Sequence, residues 1–378
     1  MQFYDKQNIV NVLEDFEYGK AEFIAFIFSS WHLDMFYSWI IQNRLSNGAI
    51  FVLPQSDVKN KSRYRLNADN FVLDMGYNTH VYFISELKVH LNFRGIVRLN
   101  FFNQRGKPFH IFNPGGINYQ VLSNLKIKRR EIHYVQLDEG TSTYFPEGKK
   151  GLLLHDFKKP SFQKQIKGTL GRYLKKILAG AYSVCSPVHF TRYFLFRKKR
   201  NALIANAEPA VNLSNYYQRL YSGIQSFNNN SILLLKDFDE EIVPFRNIID
   251  MYSKLLEQLK VTGLKVYLKK HPNDQINKFD ELLKKYKFVE QLNSGFSAEA
   301  IIPSMKPLLV IGGISTSLFT IPCIYQIRTI CFMNKYLKYP ELNPLYKERI
   351  KMMNTLFSNV SPHLELIREW DQIGLNDD

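Results

Sequence analysis

Apolar residues along this chain come in short unbroken runs, and the stretches between them carry helical spacing. The run from Phe23 to Phe28 has no polar position, the pattern of a strand covered on both faces. A helical pattern from His32 to Arg44 and an apolar run from Ala49 to Leu53 follow it. Together they predict the strand-helix-strand unit of a parallel sheet. Runs at Val81–Ile84, Gly95–Leu99, His110–Phe112 and Ile132–Leu137 continue the alternation, so residues 1–155 are read as one α/β domain.

A second α/β rhythm opens at Ser231–Leu235. It continues with a helix over Glu241–Lys260, a strand at Leu264–Leu268, helices at Phe279–Tyr286 and Ser297–Met305, a strand at Pro307–Gly312 and a helix from Ser315. Residues 230–378 are the second domain, and the intervening 156–229 are read as a basic segment and linker. The polar residues around Asn228–Asn230 are the best linker candidate.

Composition changes this picture in one respect. The 378 residues are 45% hydrophobic and 22% charged, which excludes intrinsic disorder and fits two domains of ordinary size. Lys and Arg number 50 against 34 Asp and Glu, a formal charge of +16. Twelve of those cations lie between residues 157 and 200, a block without one Asp or Glu. Such a block attracts nucleic acid, an anionic lipid surface or an acidic polymer. A nucleic-acid-binding protein is disfavoured, because no zinc finger, aromatic RNA-binding signature or helix-turn-helix pattern accompanies the charge.

Cys185, Cys323 and Cys331 are spaced like neither a zinc site nor a redox pair. A sparse, odd count fits a reducing compartment. The most apolar stretch, Phe23–Ile41, is interrupted by Ser29, Ser30, His32 and Asp34, which argues against a bilayer span. No secretory signal pattern is visible. The expectation is a cytoplasmic protein, peripheral on the inner face of a bacterial membrane.

Neither half carries a Gly-x-Gly-x-x-Gly fingerprint, which argues against a dinucleotide oxidoreductase. In sheets of this type ligands lie beyond the carboxyl ends of the strands. The strand at Ile132–Leu137 ends in Asp138-Glu139-Gly140, two adjacent carboxylates suited to a general base; alone, the tripeptide is also a common acidic turn. The strand at 264–268 runs into Lys269-Lys270-His271-Pro272, where the proline restricts His271 and the lysines favour a phosphate partner. Gly312-Gly313 precede Ser315, Thr316 and Ser317 at a helix start, an anion-binding arrangement that lacks the lysine of a P-loop; a bare N-cap accounts for the same hydroxyls. Glu299 lies near enough in sequence to serve a ribose diol, although helix N-termini favour glutamate in any case. Asp237 and Asp239 form an Asp-x-Asp after a strand, which a metal-dependent UDP-sugar transferase would use and an acidic first helical turn explains as well. Trp31 and His32, following the first strand, are candidates for the acceptor side, with Lys175, Lys176, Arg197 and Lys198 of the basic block.

The order acidic pair with Gly, His-Pro, carboxylate and Ser/Thr cluster resembles the bacterial sialyltransferases, both the capsular polysialyltransferases and the lipooligosaccharide sialyltransferases. The resemblance rests on Asp138-Glu139-Gly140, His271-Pro272 and Ser315-Thr316-Ser317 and spans residues 132–320. It implies two Rossmann-like domains facing a central cleft, the GT-B glycosyltransferase architecture. It also implies CMP-sialic acid as donor, inversion at the anomeric carbon, and neither metal nor cofactor. Glu139 would be the base with Asp138 orienting it, although either acid suits the role. His271, Pro272, Gly313 and Ser315–Ser317 would hold the departing CMP phosphate, and Glu299 the ribose. A growing capsular polysialic acid with α-2,8 or α-2,9 linkage is the favoured acceptor on charge. A lipid-linked galactose, joined α-2,3, is the alternative.

Overall fold

A computed structural model describes residues 22–52, 78–83, 108–114, 132–138, 144, 189–199, 202–223, 227, 230–236, 242–271, 278–292 and 296–374. Two compact units contain them. The first lies within Met1–Thr143 and His155–Phe194, the second within Tyr144–Leu154 and Leu195–Asp378.

The first unit holds strands β1 (Phe23–Ile27), β2 (Asn47–Val52), β3 (Asn78–Phe83), β4 (Phe109–Asn113), β5 (Ile132–Leu137) and β6 (His189–Tyr193), with helix α1 (Ser30–Asn43). The strands form a parallel sheet in the order β3-β2-β1-β4-β5-β6, the doubly wound Rossmann arrangement. Every residue of β1 and β4 is buried, as continuous apolar runs require. Ser29 caps α1 by accepting from the His32 N–H at 3.3 Å, and Arg44, in the left-handed region at φ 54°, ends it. Phe23, Phe36 and Phe112 meet edge to face with ring centroids 4.9–6.1 Å apart, which ties β1, α1 and β4 into one core.

The second unit repeats the topology. It begins with a two-stranded antiparallel pair, β7 (Phe196–Lys199) and β8 (Ala202–Ala205), and helix α2 (Ala207–Tyr221). Then follow β9 (Ser231–Lys236), α3 (Phe245–Lys260), β10 (Lys265–Lys270), α4 (Lys278–Leu283), β11 (Val289–Gln291), α5 (Ala298–Met305), β12 (Leu309–Gly312), α6 (Ser317–Tyr325), β13 (Thr329–Cys331), a 3-10 turn (Met333–Lys338), α7 (Pro344–Phe357) and β14 (Leu364–Leu366). The sheet order β11-β10-β9-β12-β13-β14, all parallel, matches the first sheet strand for strand.

Residues 156–229, read from sequence as a basic segment and linker, contain β6, β7, β8 and α2. Tyr144 belongs to the second unit, and the chain enters that unit for the last time between Phe194 and Leu195, so that the polar stretch at 226–230 lies inside it. Polar composition misleads there because β6 and β7 bury few side chains: along Phe196–Lys199 only Phe196 points inward. The strand expected at Gly95–Leu99 lies outside the described residues. Among those that are described, no helix is long and apolar enough to cross a membrane.

Candidate active site

In a sheet ordered 3-2-1-4-5-6 the crevice opens where the strand order reverses, beyond the carboxyl ends of strands 1 and 4. In the second unit these are β9 and β12. Leu235 of β9 pairs with Gly312 of β12, and Lys236 of β9 pairs with Lys270 of β10. The His271 N–H donates to the Lys236 carbonyl at 2.7 Å. Lys236, Lys269, Lys270, His271 and the Gly312–Ser317 segment therefore gather at one edge of one sheet.

Strand alternation sends the lysines to opposite faces. Lys236 and Lys270 share the α4 face. The Lys270 ammonium pairs with Asp280, and Lys236, only 2% exposed, has its Nζ 5.1 Å from the Phe279 ring centroid. Lys269 faces the other way, toward the layer in which α2, α5 and α6 pack together. Burial pushes the Lys269 ammonium below its ordinary pKa, and the charge of Glu299 opposes that shift.

Glu299 stands in the first turn of α5 behind the Ser297 cap. It is more than a helix-terminal glutamate. The side chain is 5% exposed, its Oε1 accepts from the Thr320 hydroxyl at 2.6 Å, and its backbone carbonyl accepts from the Tyr325 hydroxyl at 2.8 Å.

The glycine pair is explained by packing inside the protein. A Cβ on Gly312 would lie 2.9 Å from the Leu235 carbonyl oxygen and 3.3 Å from Leu318, and one on Gly313 would lie 2.4 Å from the Tyr336 hydroxyl. Both glycines let β12 and the segment after it sit tightly against their neighbours. The chain then enters α6. Ser315 and Ser317 are half-buried and Thr316 is exposed; the Leu318 N–H donates to the Ser315 carbonyl at 3.2 Å. A helix N-terminus carrying three hydroxyls is suited to an anion.

In the first unit the order reverses between β1 and β4. Trp31, in the first turn of α1, has a buried indole Nε1 without a partner among the described residues. His32 is committed to the turn instead of to a ligand: its Nδ1 accepts from the Phe28 N–H at 3.3 Å, and burial lowers its pKa to about 4. Its ring is neutral at pH 7 and turned inward, which revises the reading of this residue as an acceptor contact. Asp138 follows β5 and is 0% exposed, a position suited to orienting a neighbour and not to meeting a substrate itself. Glu139, Gly140, Lys175, Lys176, Asp237, Asp239 and Pro272 lie outside the described residues. Arg197 and Lys198 are exposed on β7. Burial pushes the Cys323 and Cys331 thiols up to about 12, so neither is a reactive thiolate. Among the described residues no group of three or more His, Cys, Asp or Glu is arranged to hold a metal ion.

A protein-family profile, alpha-2,8-polysialyltransferase, matches residues 23–334, from β1 into the 3-10 turn after β13. The chain belongs to the alpha-2,8-polysialyltransferase family. It is thus a sialyltransferase, a glycosyltransferase taking sialic acid from CMP-sialic acid to a glycan acceptor. Each of its two units carries a Rossmann-type parallel sheet. Among solved structures, it is similar to a putative UDP-N-acetylglucosamine 2-epimerase from Listeria monocytogenes, with 9% identity, 88% of each chain covered and a TM-score of 0.45. It is also similar to the S. aureus MnaA-UDP co-structure, with 11% identity, 91% of this chain and 93% of that one covered and a TM-score of 0.45. A third likeness is to the wall teichoic acid polymerase TagF, with 12% identity, coverage of 96% and 89%, and a TM-score of 0.43. No curated protein sequence matches this chain.

Two residues of this sialyltransferase escaped the reading of its sequence. Lys236 ends an apolar run, and a lysine closing a buried strand at the reversal point was the available signal. Thr320 carried none, because its partner Glu299 lies 21 residues away on another helix.

Proposed function

We propose that this sialyltransferase extends a capsular polysialic acid chain by inverting transfer from CMP-sialic acid without a metal ion. Departing CMP carries its charge on phosphate, and the second unit would receive it. His271 and the α6 terminus at Ser315–Ser317 donate to the phosphate, and Glu299 accepts from the ribose hydroxyls. Glu139 removes the proton from the acceptor hydroxyl as the sugar gains oxocarbenium character, with Asp138 orienting it. Fixed donors at the developing phosphate charge serve in place of a cation.

The observation that carries this reading is the gathering of Lys236, Lys269, Lys270, His271 and the α6 terminus at the reversal point of the second sheet. Cationic groups and a helix N-terminus there fit a nucleoside monophosphate. For the acceptor, support comes from charge. Arg192 lies on β6 with its guanidinium 5.8 Å from the Phe190 ring centroid, and Arg197, Lys198 and Lys199 are exposed on β7. Exposed cations of this kind suit a polyanionic glycan. The same cations suit an anionic inner-membrane surface, which an enzyme acting on lipid-linked galactose would use.

Product masses decide among these. Full-length enzyme is given CMP-sialic acid with sialylated and galactose-terminated acceptors side by side, with and without EDTA. Successive sialic acid additions to the sialylated acceptor, undiminished by EDTA, are expected. Transfer to galactose alone would replace the polysialyl reading, and loss of turnover in EDTA would remove the metal-free one.

A further inference from the structure

The buried bond between Thr320 and Glu299 joins two parts of the donor site that the sequence lists separately. Thr320 lies one turn along α6 from Thr316, and residues four apart share a helix face. The turn that presents hydroxyls and amides to a phosphate is thus continuous with the turn that holds Glu299. One turn rises 5.4 Å, comparable with the step from phosphate to sugar within one nucleotide.

The proton of Thr320 has two acceptors in view, Glu299 Oε1 at 2.6 Å and the Ser317 carbonyl at 3.4 Å. A hydroxyl has one proton to give, and an O–H to carboxylate bond at 2.5–2.7 Å is the stronger, charge-assisted kind. The Thr320 hydroxyl, 1% exposed as a residue, therefore serves Glu299. The Tyr325 hydroxyl, also from α6, holds the Glu299 backbone at 2.8 Å, so that helix fixes Glu299 at both ends.

We infer that Thr320 is a positioning residue for nucleotide selectivity: by holding one Glu299 oxygen it turns the other toward the ribose diol and makes the enzyme discriminate CMP from 2′-deoxy-CMP. This rests on the assignment of Glu299 to the ribose. Thr320 touches no substrate and acts through the carboxylate.

The test is calorimetric titration of full-length enzyme with CMP and with 2′-deoxy-CMP. Wild type should prefer CMP by about tenfold or more, since a site built for a hydroxyl rejects the analogue lacking it. Thr320→Val, which keeps the shape and removes the donor, should cut that preference about fivefold, the worth of one hydrogen bond, with 2′-deoxy-CMP affinity unchanged. Thr320→Ser restores a donor and should stay within about twofold of wild type. Preference retained in Thr320→Val, or lost equally in Val and Ser variants, overturns the inference. The control Glu299→Gln separates the two layers. If it abolishes the preference while Thr320→Val does not, only the role of Thr320 falls. If Glu299→Gln keeps the preference, or wild type has none, the ribose assignment falls and the inference with it.

Discussion

The two sheets share one strand order and differ in what they bury at its polar positions. In the first unit, His110 of β4, His133 of β5 and His189 of β6 are neighbours in register across three strands, with ring centroids 5.0 Å and 6.4 Å apart. Burial lowers the His110 pKa to about 4, and the neighbouring His133 adds to the shift. His133 is lowered by burial and by His189. The row lies at the amino ends of β5 and β6, away from Asp138. In the second unit, the buried charged residues of the sheet are lysines at the carboxyl ends, Lys236 and Lys269, and the buried polar residues at its amino ends are the uncharged Ser231 and Thr329. Equal topology thus gives equal crevices, and the charge set at each carboxyl edge decides which of them suits an anion.

The largest effect expected from this contrast is chemical. Glu139→Gln should lower the transfer rate by about 10³ or more while leaving CMP affinity nearly intact, and His271→Ala should lower the rate by about 10². Single-turnover kinetics and CMP titration check both. If Glu139→Gln turns over near normally, the base belongs elsewhere.

Acid should separate the units next. His32 and His110 titrate near 4 when folded and near 6.5 when unfolded. Between those values the unfolded chain binds more protons, so stability present above pH 6.5 is lost as pH falls toward 4, by on the order of 3 kcal/mol for each residue. Trp31 and Trp39 report on the first unit once Trp370→Phe removes the tryptophan of the second. Their fluorescence should change at a higher pH than second-unit signals, and His110→Phe should move that transition down. An unmoved transition would remove His110 as the cause.

A smaller loss is expected from Gly313→Ala, about 2 kcal/mol, because its Cβ would press on a buried Tyr336 hydroxyl. Tyr336→Phe in the same chain should recover much of it, and thermal unfolding of the four variants gives the coupling. Additive losses would mean that the tight contact is not with that hydroxyl. Smallest should be Arg197→Glu with Lys198→Glu on exposed β7: several-fold weaker binding of a sialylated acceptor at low salt, with CMP affinity unchanged. Equal binding across a salt series would take β7 out of the acceptor surface.

Legibility followed burial. Strands β1, β9 and β12 were readable because each is buried along its length and so spelled as an apolar run, and β4 and β5 because apolar residues dominate around His110 and His133. The edge strand β6 was not, since His189, Phe190 and Arg192 are exposed. Neither was β7, with one inward residue, nor β13 and β14, three residues each. The placement of His271 and Ser315–Ser317 at the carboxyl edge of the second sheet was legible because they directly follow strands. The burial of His32 was not legible because its place one residue after Trp31 says nothing about which way a helix turns its face.

By itself the sequence determined the class of the fold, the rhythm of two parallel sheets, and the motifs that end their strands, because those follow from local spacing and from the apolarity that burial on both faces demands. Only the tertiary structure decided that the chain enters the second unit for the last time between Phe194 and Leu195, that Gly312 and Gly313 serve packing, that His32 is turned inward, and that Thr320 holds Glu299. Each of these depends on a partner distant in sequence, and no local pattern encodes which distant group a side chain will meet.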